Sequence, residues 1–264
     1  MGSSPTGPSK KMRALMWAFF LCYNKSMTEK HIIAGSGGFI YNDWQLRVGP
    51  MLQYAFDVTE KQRPKFCLIA TARGDDKGVI ANFYNACSFE DVEASHLELF
   101  PMPNHDDIEK FILSQDVIWV GGGSVANLLA VWRTHGLDKI LKKAWEKGVV
   151  LTGQSAGSIC WNVGGVTDSF GMNMQPVTNG LALLPYTSGV HYDSEEQRRP
   201  LIHKLIGDNI LPDGYATDDG VNIHFINQDF HKAISDRSNA FAYHVARNDD
   251  GSIREEKIQT ELLM

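Results

Sequence analysis

The chain has 264 residues, 43% of them hydrophobic and 21% charged, which is enough to bury one well-formed core. Its formal net charge of -6 opposes binding to a phosphate backbone. The sequence has neither a basic stripe nor an RNA-binding aromatic motif, so we expect no nucleic-acid partner. The four cysteines lack CxxC spacing, which excludes a zinc knuckle and a disulfide scaffold and favours a reducing compartment such as the cytoplasm.

The first 26 residues form a segment of their own. A basic stretch, residues 10–13, precedes an apolar run over residues 14–23, in the order of a secretory signal, and this run is too short to span a bilayer. No small-x-small cleavage site follows, and Met27 directly precedes the first pattern of a folded domain. We interpret residues 1–26 as an upstream extension or a mis-called start, with secretion as the alternative. We expect no membrane partner, and one domain over residues 27–264.

From residue 30 onward, short unbroken apolar runs that end in small residues alternate with longer amphipathic stretches. Such runs are typical of strands that are covered on both faces of a parallel sheet. They cover residues 31–34, 66–72, 117–120 and 149–152. The amphipathic stretches predict helices over residues 46–56, 78–86, 106–113, 125–132 and 137–147. This alternation predicts an α/β domain with a doubly wound, mostly parallel sheet and with ligands at the carboxyl ends of its strands.

A glycine-rich turn, residues 35–38, follows the first predicted strand. It lacks the GxGxxG spacing of a dinucleotide site, and no acidic residue ends a second strand at the expected distance. We therefore interpret it as a tight structural turn and expect no cofactor. The sequence also lacks HExxH and a compact set of histidine and aspartate ligands, so we expect no metal.

The motif Gly153-Gln154-Ser155-Ala156-Gly157 lies between a predicted strand and a segment that can open a helix. In that setting, GxSxG holds a serine in a strained turn with its hydroxyl above the edge of the sheet. The backbone N–H groups that follow can stabilise a developing oxyanion. Because GxSxG also occurs by chance, an ordinary turn between a strand and a helix stays open as the alternative.

Two further features belong to the same predicted rim. Gly121-Gly122-Gly123 ends another predicted strand, and three glycines let the backbone approach a carbonyl oxygen closely. No GK[ST] follows them, which excludes a Walker motif. Among the nine histidines, His191 stands at a predicted strand end just after an apolar stretch, residues 181–185. It is the candidate base for Ser155.

Together, Val120–Gly123, the GxSxG turn, Thr167-Asp168 and Gly189–Tyr192 occur in an order and spacing that resemble the peptidase E-like serine peptidases, which include cyanophycinases. The resemblance runs from about His31 to Phe225. It implies the flavodoxin-like fold of the class I glutamine amidotransferases, with serine in place of their cysteine. It also implies hydrolysis of small peptides through an acyl-enzyme, with an aspartyl or similar acidic residue at the cleaved bond. Peptidase E removes an N-terminal aspartate from dipeptides, and cyanophycinase cleaves a β-linked aspartyl–arginine polymer.

The resemblance assigns roles to individual residues. It makes Ser155 the nucleophile and His191 the base, and it makes Gly123 and Ala156 the donors of the oxyanion-hole N–H groups. No step of this chemistry needs a metal or a cofactor.

For the acid of the triad, the resemblance offers two aspartates. Asp168 follows Ser155 by thirteen residues, slightly closer than is usual in the family, and it is the one that we prefer. Asp219 matches the position of the acid in cyanophycinase-type members. Either carboxylate can hold the imidazole tautomer and stabilise its cation.

The sequence departs from the family pattern near the predicted substrate. Ser124 stands where peptidase E-type enzymes carry asparagine after the triple glycine, and it is a candidate substrate-binding residue. Arg198 and Arg199 lie just beyond His191, and a guanidinium fits a substrate carboxylate with two hydrogen bonds. The alternative for these arginines is a solvated, charged start of a helix.

Two other functions stay open. The first is an esterase of the α/β-hydrolase type, in which the acid and then the histidine come late in the chain. Against it, His191 follows Ser155 by only 36 residues and no HGGG precedes the serine. The second is a non-catalytic amidotransferase-like binding module, which keeps the fold and the pocket without the reactivity. The expected partner is a small peptide, and a homodimer is the assembly that we leave open.

Overall fold

A computed structural model describes residues 29–263, so the interpretation of residues 1–26 lies outside the described residues. The strands are β1 (His31–Gly35), β2 (Ile40–Asn42), β3 (Gln45–Arg47), β4 (Lys65–Ile69), β5 (Glu93–Leu97), β6 (Val117–Val120), β7 (Val150–Gln154), β8 (Gly164–Thr167), β9 (Gln175–Val177), β10 (Thr187–Gly189), β11 (Gly214–Thr217), β12 (Val221–Ile226), β13 (Asp229–Ser235), β14 (Ala242–Arg247), β15 (Ile253–Ile258) and β16 (Glu261–Leu262). The helices are α1 (Pro50–Val58), α2 (Lys77–Cys87), α3 (Ile108–Ile112), α4 (Val125–His135), α5 (Leu137–Glu146), α6 (Ala156–Ile159) and α7 (Arg198–Gly207), with a 3-10 turn over Thr71–Arg73.

The larger sheet has eight strands in the order β16-β13-β12-β1-β7-β6-β4-β5. Its strands β1, β7, β6, β4 and β5 are parallel, and β12 joins β1 in the antiparallel sense. Alternate residues of β6 show why the apolar runs are unbroken. Ile118 and Val120 belong to the core that packs on α4 and α5, whereas Val117 and Trp119 belong to the core that packs on α1 and α2. The predicted doubly wound, mostly parallel sheet is confirmed.

A second sheet of six strands, in the order β15-β14-β11-β10-β8-β9, is absent from the sequence expectations. Its central strands are short and rich in glycine, so they lack the apolar runs by which the larger sheet is recognised. The glycines have a steric cause. A Cβ at Gly165 would overlap the carbonyl oxygen of Ser188 on β10, and one at Gly214 would overlap that of Thr187.

The observed helices follow the predicted ranges closely, with one informative exception. The helix expected over residues 46–56 begins only at Pro50, because Gln45–Arg47 pair with β2 as a small hairpin. Proline suits the first turn of a helix, where its missing N–H has no partner to lose. Within residues 29–263, no helix combines the length and the apolar character that crossing a membrane requires.

A chain of hydrogen bonds ties the start of β1 to β12 through two histidines. Nε2 of His224 lies 3.0 Å from Nδ1 of His31, and Nδ1 of His224 lies 2.8 Å from the hydroxyl of Tyr54 on α1. Burial lowers the pKa of His224 to about 3, and the nearby positive charge of His31, His231 and Lys232 acts in the same direction. The folded protein therefore holds His224 in its neutral form.

This cluster predicts a loss of stability in mild acid. The pKa of His224 is lower in the folded than in the unfolded chain, where it is about 6.5. Its contribution to stability is therefore complete above pH 6.5 and is lost as the pH falls below that value toward 3. We expect urea unfolding to show a lower free energy of unfolding at pH 5 than at pH 7.5. In His224→Gln this decrease should shrink, whereas in His135→Gln, changed at the end of α4, it should persist. An equal decrease in both variants would contradict the assignment.

Candidate active site

The GxSxG turn lies at the carboxyl end of β7. The backbone of Ser155 has φ 57° and ψ -116°, which is a rare conformation for a residue with a side chain, and its N–H donates to the carbonyl of Gly35 over 2.9 Å. The two glycines of the motif are steric requirements. A Cβ at Gly153 would overlap the carbonyl oxygen of Gly157, and one at Gly157 would overlap that of Val120 on β6. The turn therefore presses α6 against the ends of two strands and lifts Ser155 above the edge of the sheet.

The triple glycine runs alongside this turn. A Cβ at Gly122 would lie 3.2 Å from Cβ of Ser155, which is a tight contact, so glycine leaves space beside the serine side chain. Gly123 has φ 136°, and a Cβ there would overlap the carbonyl oxygen of Ala72. Within residues 29–263, the N–H groups of Gly122, Gly123 and Ala156 donate no hydrogen bond. Free N–H groups on both sides of Ser155 have the chemistry of an oxyanion-binding site.

His191 lies two residues beyond β10, in the second sheet, with its backbone in the left-handed region at φ 52°. Its N–H donates to the hydroxyl of Ser36 over 2.9 Å, and its carbonyl accepts from the N–H of Glu195 over 3.0 Å. The next residue is fixed as well, since the N–H of Tyr192 donates to the carbonyl of Thr217 over 3.1 Å. Hydrogen bonds on both sides thus hold His191 in an unusual backbone conformation.

The imidazole of His191 contacts Asp219, which lies two residues beyond β11. The distance from Nδ1 to Oδ1 is 2.5 Å. Burial opposes ionisation of Asp219, but hydrogen bonds from His191 and Ser194 and the nearby charge of Arg237 outweigh it and lower the pKa of this carboxyl. An ionised carboxylate can only accept, so Nδ1 of His191 carries a proton, and in the neutral imidazole the lone pair is then on Nε2. This is the tautomer that a general base requires.

The backbone around Asp219 is held from both sides. Its N–H donates to Oδ1 of Asp193 over 2.8 Å, and its carbonyl accepts from Arg237 over 3.0 Å. The neighbouring Asp218 faces the interior and accepts from the N–H of Phe241 over 2.9 Å. Burial raises the pKa of Asp218, so the two adjacent aspartates are in different environments. Of this pair, Asp219 is the one on the rim.

The preference for Asp168 as the partner of His191 is corrected by this geometry. Asp168 follows β8 and lines an open cavity of about 630 Å³, together with Glu195 and Glu196. Its loop is held against the start of α4, because the hydroxyl of the next residue, Ser169, accepts from the N–H of Ala126. Sequence distance from Ser155 could not reveal that β8 and β11 lie on opposite sides of β10.

The structure gives structural contacts to the polar residues that were predicted to bind substrate, and their binding role stays a prediction. Arg198 is only 2% exposed and donates to Glu195 and to the carbonyl of Val166, so its guanidinium is turned into the protein and held there. Arg199 lies 4.5 Å from the ring centre of Tyr192 and 3.5 Å from Glu255. Both arginines stabilise the start of α7 and its packing.

Ser124, the other predicted substrate-binding residue, caps α4. Its hydroxyl accepts from the N–H of Asn127 over 3.2 Å, and its own N–H donates to the carbonyl of Ala72 over 2.9 Å. Serine is a favoured N-cap residue, so its presence after the triple glycine has a local structural reason.

Ser155 follows a strand of the larger sheet and His191 one of the second sheet, and their side chains share no direct hydrogen bond in the described part of the chain. Such contacts are often long in a free enzyme and shorten when substrate binds. Among residues 29–263, no group of three or more His, Cys, Asp or Glu side chains is placed to hold a metal ion.

Sequence reasoning missed the residues that support the pair. Ser36, Thr217 and Arg237 contact the backbone of His191, Tyr192 or Asp219, and Asp193 receives the N–H of Asp219. A signal was present for Ser36, because it lies two residues after the first apolar run, at the end of a strand where a parallel sheet binds its ligands. For the other three, the signal depends on the second sheet.

Comparisons with known proteins identify the family of the chain. The model of peptidase family S51 matches residues 32–233. The chain is 44% identical over 219 residues to the uncharacterized peptidase YgaJ of Bacillus subtilis (strain 168). The aligned region covers 82% of this chain and 92% of that protein.

Two solved structures are similar in fold. One is a peptidase from an acI-B1 actinobacterium, with a TM-score of 0.67 and 12% identity over 91% of this chain and 99% of that one. The other is a peptidase E protein from Listeria monocytogenes EGD-e, with a TM-score of 0.54 and 15% identity over 78% of this chain and 98% of that one. At these identities the similarity to the two structures shows the fold alone. The family match and the curated relative go further, and they establish that this chain belongs to peptidase family S51 and is a serine-type peptidase.

Proposed function

We propose that this chain hydrolyses small peptides through an acyl-enzyme formed on Ser155, with His191 as general base and Asp219 as its orienting acid. The observation that carries the proposal is the 2.5 Å contact between His191 and Asp219 beside a strained serine turn. It supports an imidazole that is oriented by a carboxylate through Nδ1, which leaves Nε2 for the nucleophile.

The chemistry follows from these positions. Oγ of Ser155 attacks the carbonyl carbon of the scissile bond while Nε2 of His191 takes the hydroxyl proton. The N–H of Ala156 and one from the triple glycine, Gly123 or its neighbour Gly122, bind the oxyanion. The C–N bond then breaks, and His191 returns the proton to the leaving amine. Water repeats the sequence on the acyl ester and releases the acid.

The esterase alternative conflicts with the order of these residues. In α/β-hydrolases the acid precedes the histidine along the chain. Here Asp219, the carboxylate in contact with the imidazole, follows His191. A non-catalytic binding module would share the fold and remains the alternative that experiment must separate from the enzyme.

We further propose that the substrate carries a carboxylate beside the scissile bond and that Arg73 binds it. Arg73 follows β4 at the carboxyl edge of the larger sheet and is exposed. Its side chain packs on the oxyanion turn, since a Cβ at Gly123 would lie 3.0 Å from Cγ of Arg73. Within residues 29–263 it has no acidic partner, so its guanidinium is free to bind a carboxylate from the substrate.

The first test concerns the nucleophile. Ser155→Ala should lower kcat on a cleaved peptide by several orders of magnitude, because the acyl-enzyme cannot form. The melting temperature should stay nearly unchanged, because the hydroxyl makes no contact in the core. Mass spectrometry of the wild type treated with a fluorophosphonate should place the label on Ser155. A chain that is folded but unlabelled would favour the binding module.

The second test compares the two aspartates. Asp219→Asn should lower kcat by about 10⁴, because an amide in this place holds the wrong imidazole tautomer. Asp168→Asn is the matched control, and its kcat should stay within about threefold of the wild type because its carboxylate only lines a cavity. Steady-state kinetics on one substrate decides. Equal losses in the two variants would remove Asp219 from the proposed triad.

The third test concerns specificity. Arg73→Ala should lower kcat/KM about 10-fold to 100-fold for a peptide with aspartate at the cleaved bond, and barely change it for the asparagine analogue. Arg73→Lys should recover only part of the loss, because lysine lacks the forked donor pair. Arg63→Ala, near the other end of the same strand, is the control. A wild-type preference for basic side chains would contradict the anchor and point instead to the carboxylates around Asp168.

A further inference from the structure

The glycine-rich turn after β1, residues 35–38, takes no part in the bond-making and bond-breaking steps proposed at Ser155. It nevertheless lies at the carboxyl edge of the larger sheet, between that sheet and the second one. The side chain of Ser36 is only 3% exposed, and each of its hydrogen bonds crosses to the loops and strands of the second sheet.

The hydroxyl of Ser36 has a defined donor side and a defined acceptor side. Its oxygen lies 2.8 Å from Oγ1 and 3.1 Å from the carbonyl oxygen of Thr217, which marks the end of β11. Oγ1 of Thr217 can itself donate to the carbonyl of Gly189, over 3.4 Å. The O–H of Ser36 is therefore directed at Thr217, and its lone pair accepts the N–H of His191 over 2.9 Å.

The turn that carries Ser36 is rigid. The N–H of Ser36 donates to the carbonyl of Val221 over 2.7 Å, and the side-chain amide of Asn222 bonds to both the N–H and the carbonyl of Gly37. Asn222 is only 1% exposed, and a Cβ at Gly35 would lie within 2.8 Å of its Oδ1. These contacts fix Ser36 before His191 is placed against it.

The same dipeptide holds both members of the reacting pair. The carbonyl of Gly35 accepts the N–H of Ser155, and the hydroxyl of Ser36 accepts the N–H of His191. Since His191 is held at φ 52°, where a residue with a side chain is rarely found, losing the acceptor of its N–H would let residues 190–192 relax.

We propose that Ser36 is a positioning residue: by accepting the N–H of His191 it sets the imidazole between Asp219 and Ser155. The proposal rests on the proposed function, in which His191 is the base. It concerns Ser36 alone among the residues of the glycine-rich turn, since the glycines beside it have steric reasons of their own.

The test is Ser36→Ala, compared with Thr187→Val. Thr187 is a fair control because its buried hydroxyl also bonds to a backbone carbonyl, that of Pro212 over 2.5 Å, at the opposite end of β10. In Ser36→Ala, kcat should fall about 10-fold to 100-fold with KM within twofold, because a misplaced base affects the transition state more than binding. In Thr187→Val both constants should stay near the wild type.

A spectroscopic readout separates positioning from stability. The Nδ1 proton between His191 and Asp219 should give a strongly deshielded proton resonance, absent in Asp219→Asn. It should move or broaden in Ser36→Ala and stay unchanged in Thr187→Val. An unmoved resonance would overturn the proposal, whether kcat falls or not. If Ser36→Ala does not fold, Ser36→Cys, which keeps the volume and weakens the acceptor, must show the same change.

This design keeps the two proposals apart. The resonance needs no turnover, so it reports on Ser36 and His191 even if the protein proves inactive. Failure of fluorophosphonate to label Ser155, with a displaced resonance in Ser36→Ala, would contradict the proposed peptidase mechanism alone. Normal labelling with an unmoved resonance would contradict the role of Ser36 alone.

Discussion

The arrangement of the site depends on the contact between two sheets at the end of β1. The larger sheet presents Ser155 and the glycine turn, and the smaller one presents His191 and Asp219. Each part alone holds half of the proposed catalytic pair. The hydrogen bond at Gly35 fixes Ser155 within the larger sheet, and the hydrogen bond from His191 to Ser36 crosses the boundary and fixes one half against the other. Because hydrogen bonds weaken steeply with distance and angle, they allow little sliding of the sheets along each other.

The larger sheet could be predicted from the sequence because its strands and helices have patterns that are visible within a few neighbouring residues. Strands covered on both faces need unbroken apolar runs, and β6 is buried at each of its four positions. The helices between them show an equally plain period, and Val125 and Leu137 begin helices in the structure where the pattern predicts them. The GxSxG turn could also be predicted from the sequence. Its glycines avoid steric overlap with residues a few positions away and with one neighbouring strand.

The second sheet could not be read in this way. In β8, β10 and β11, glycines allow a close approach between strands that are far apart in sequence, and a glycine-rich segment is equally typical of a loop. The identity of the acid depends on this sheet. Asp168 and Asp219 both follow a short strand, and only the strand order places one of them beside the imidazole. The prediction that Arg198 binds substrate rested on its position near His191 in the sequence. That position does not reveal that its side chain is buried.

The backbone of Ser155 has a consequence for the history of such a chain. A residue with a side chain held at φ 57° and ψ -116° costs on the order of 1–3 kcal/mol, and glycine would relieve most of it. Selection for thermal stability alone would therefore favour replacing the proposed nucleophile by glycine, which is a single substitution. Under the proposed mechanism the serine is retained because turnover needs its hydroxyl, at a cost in stability.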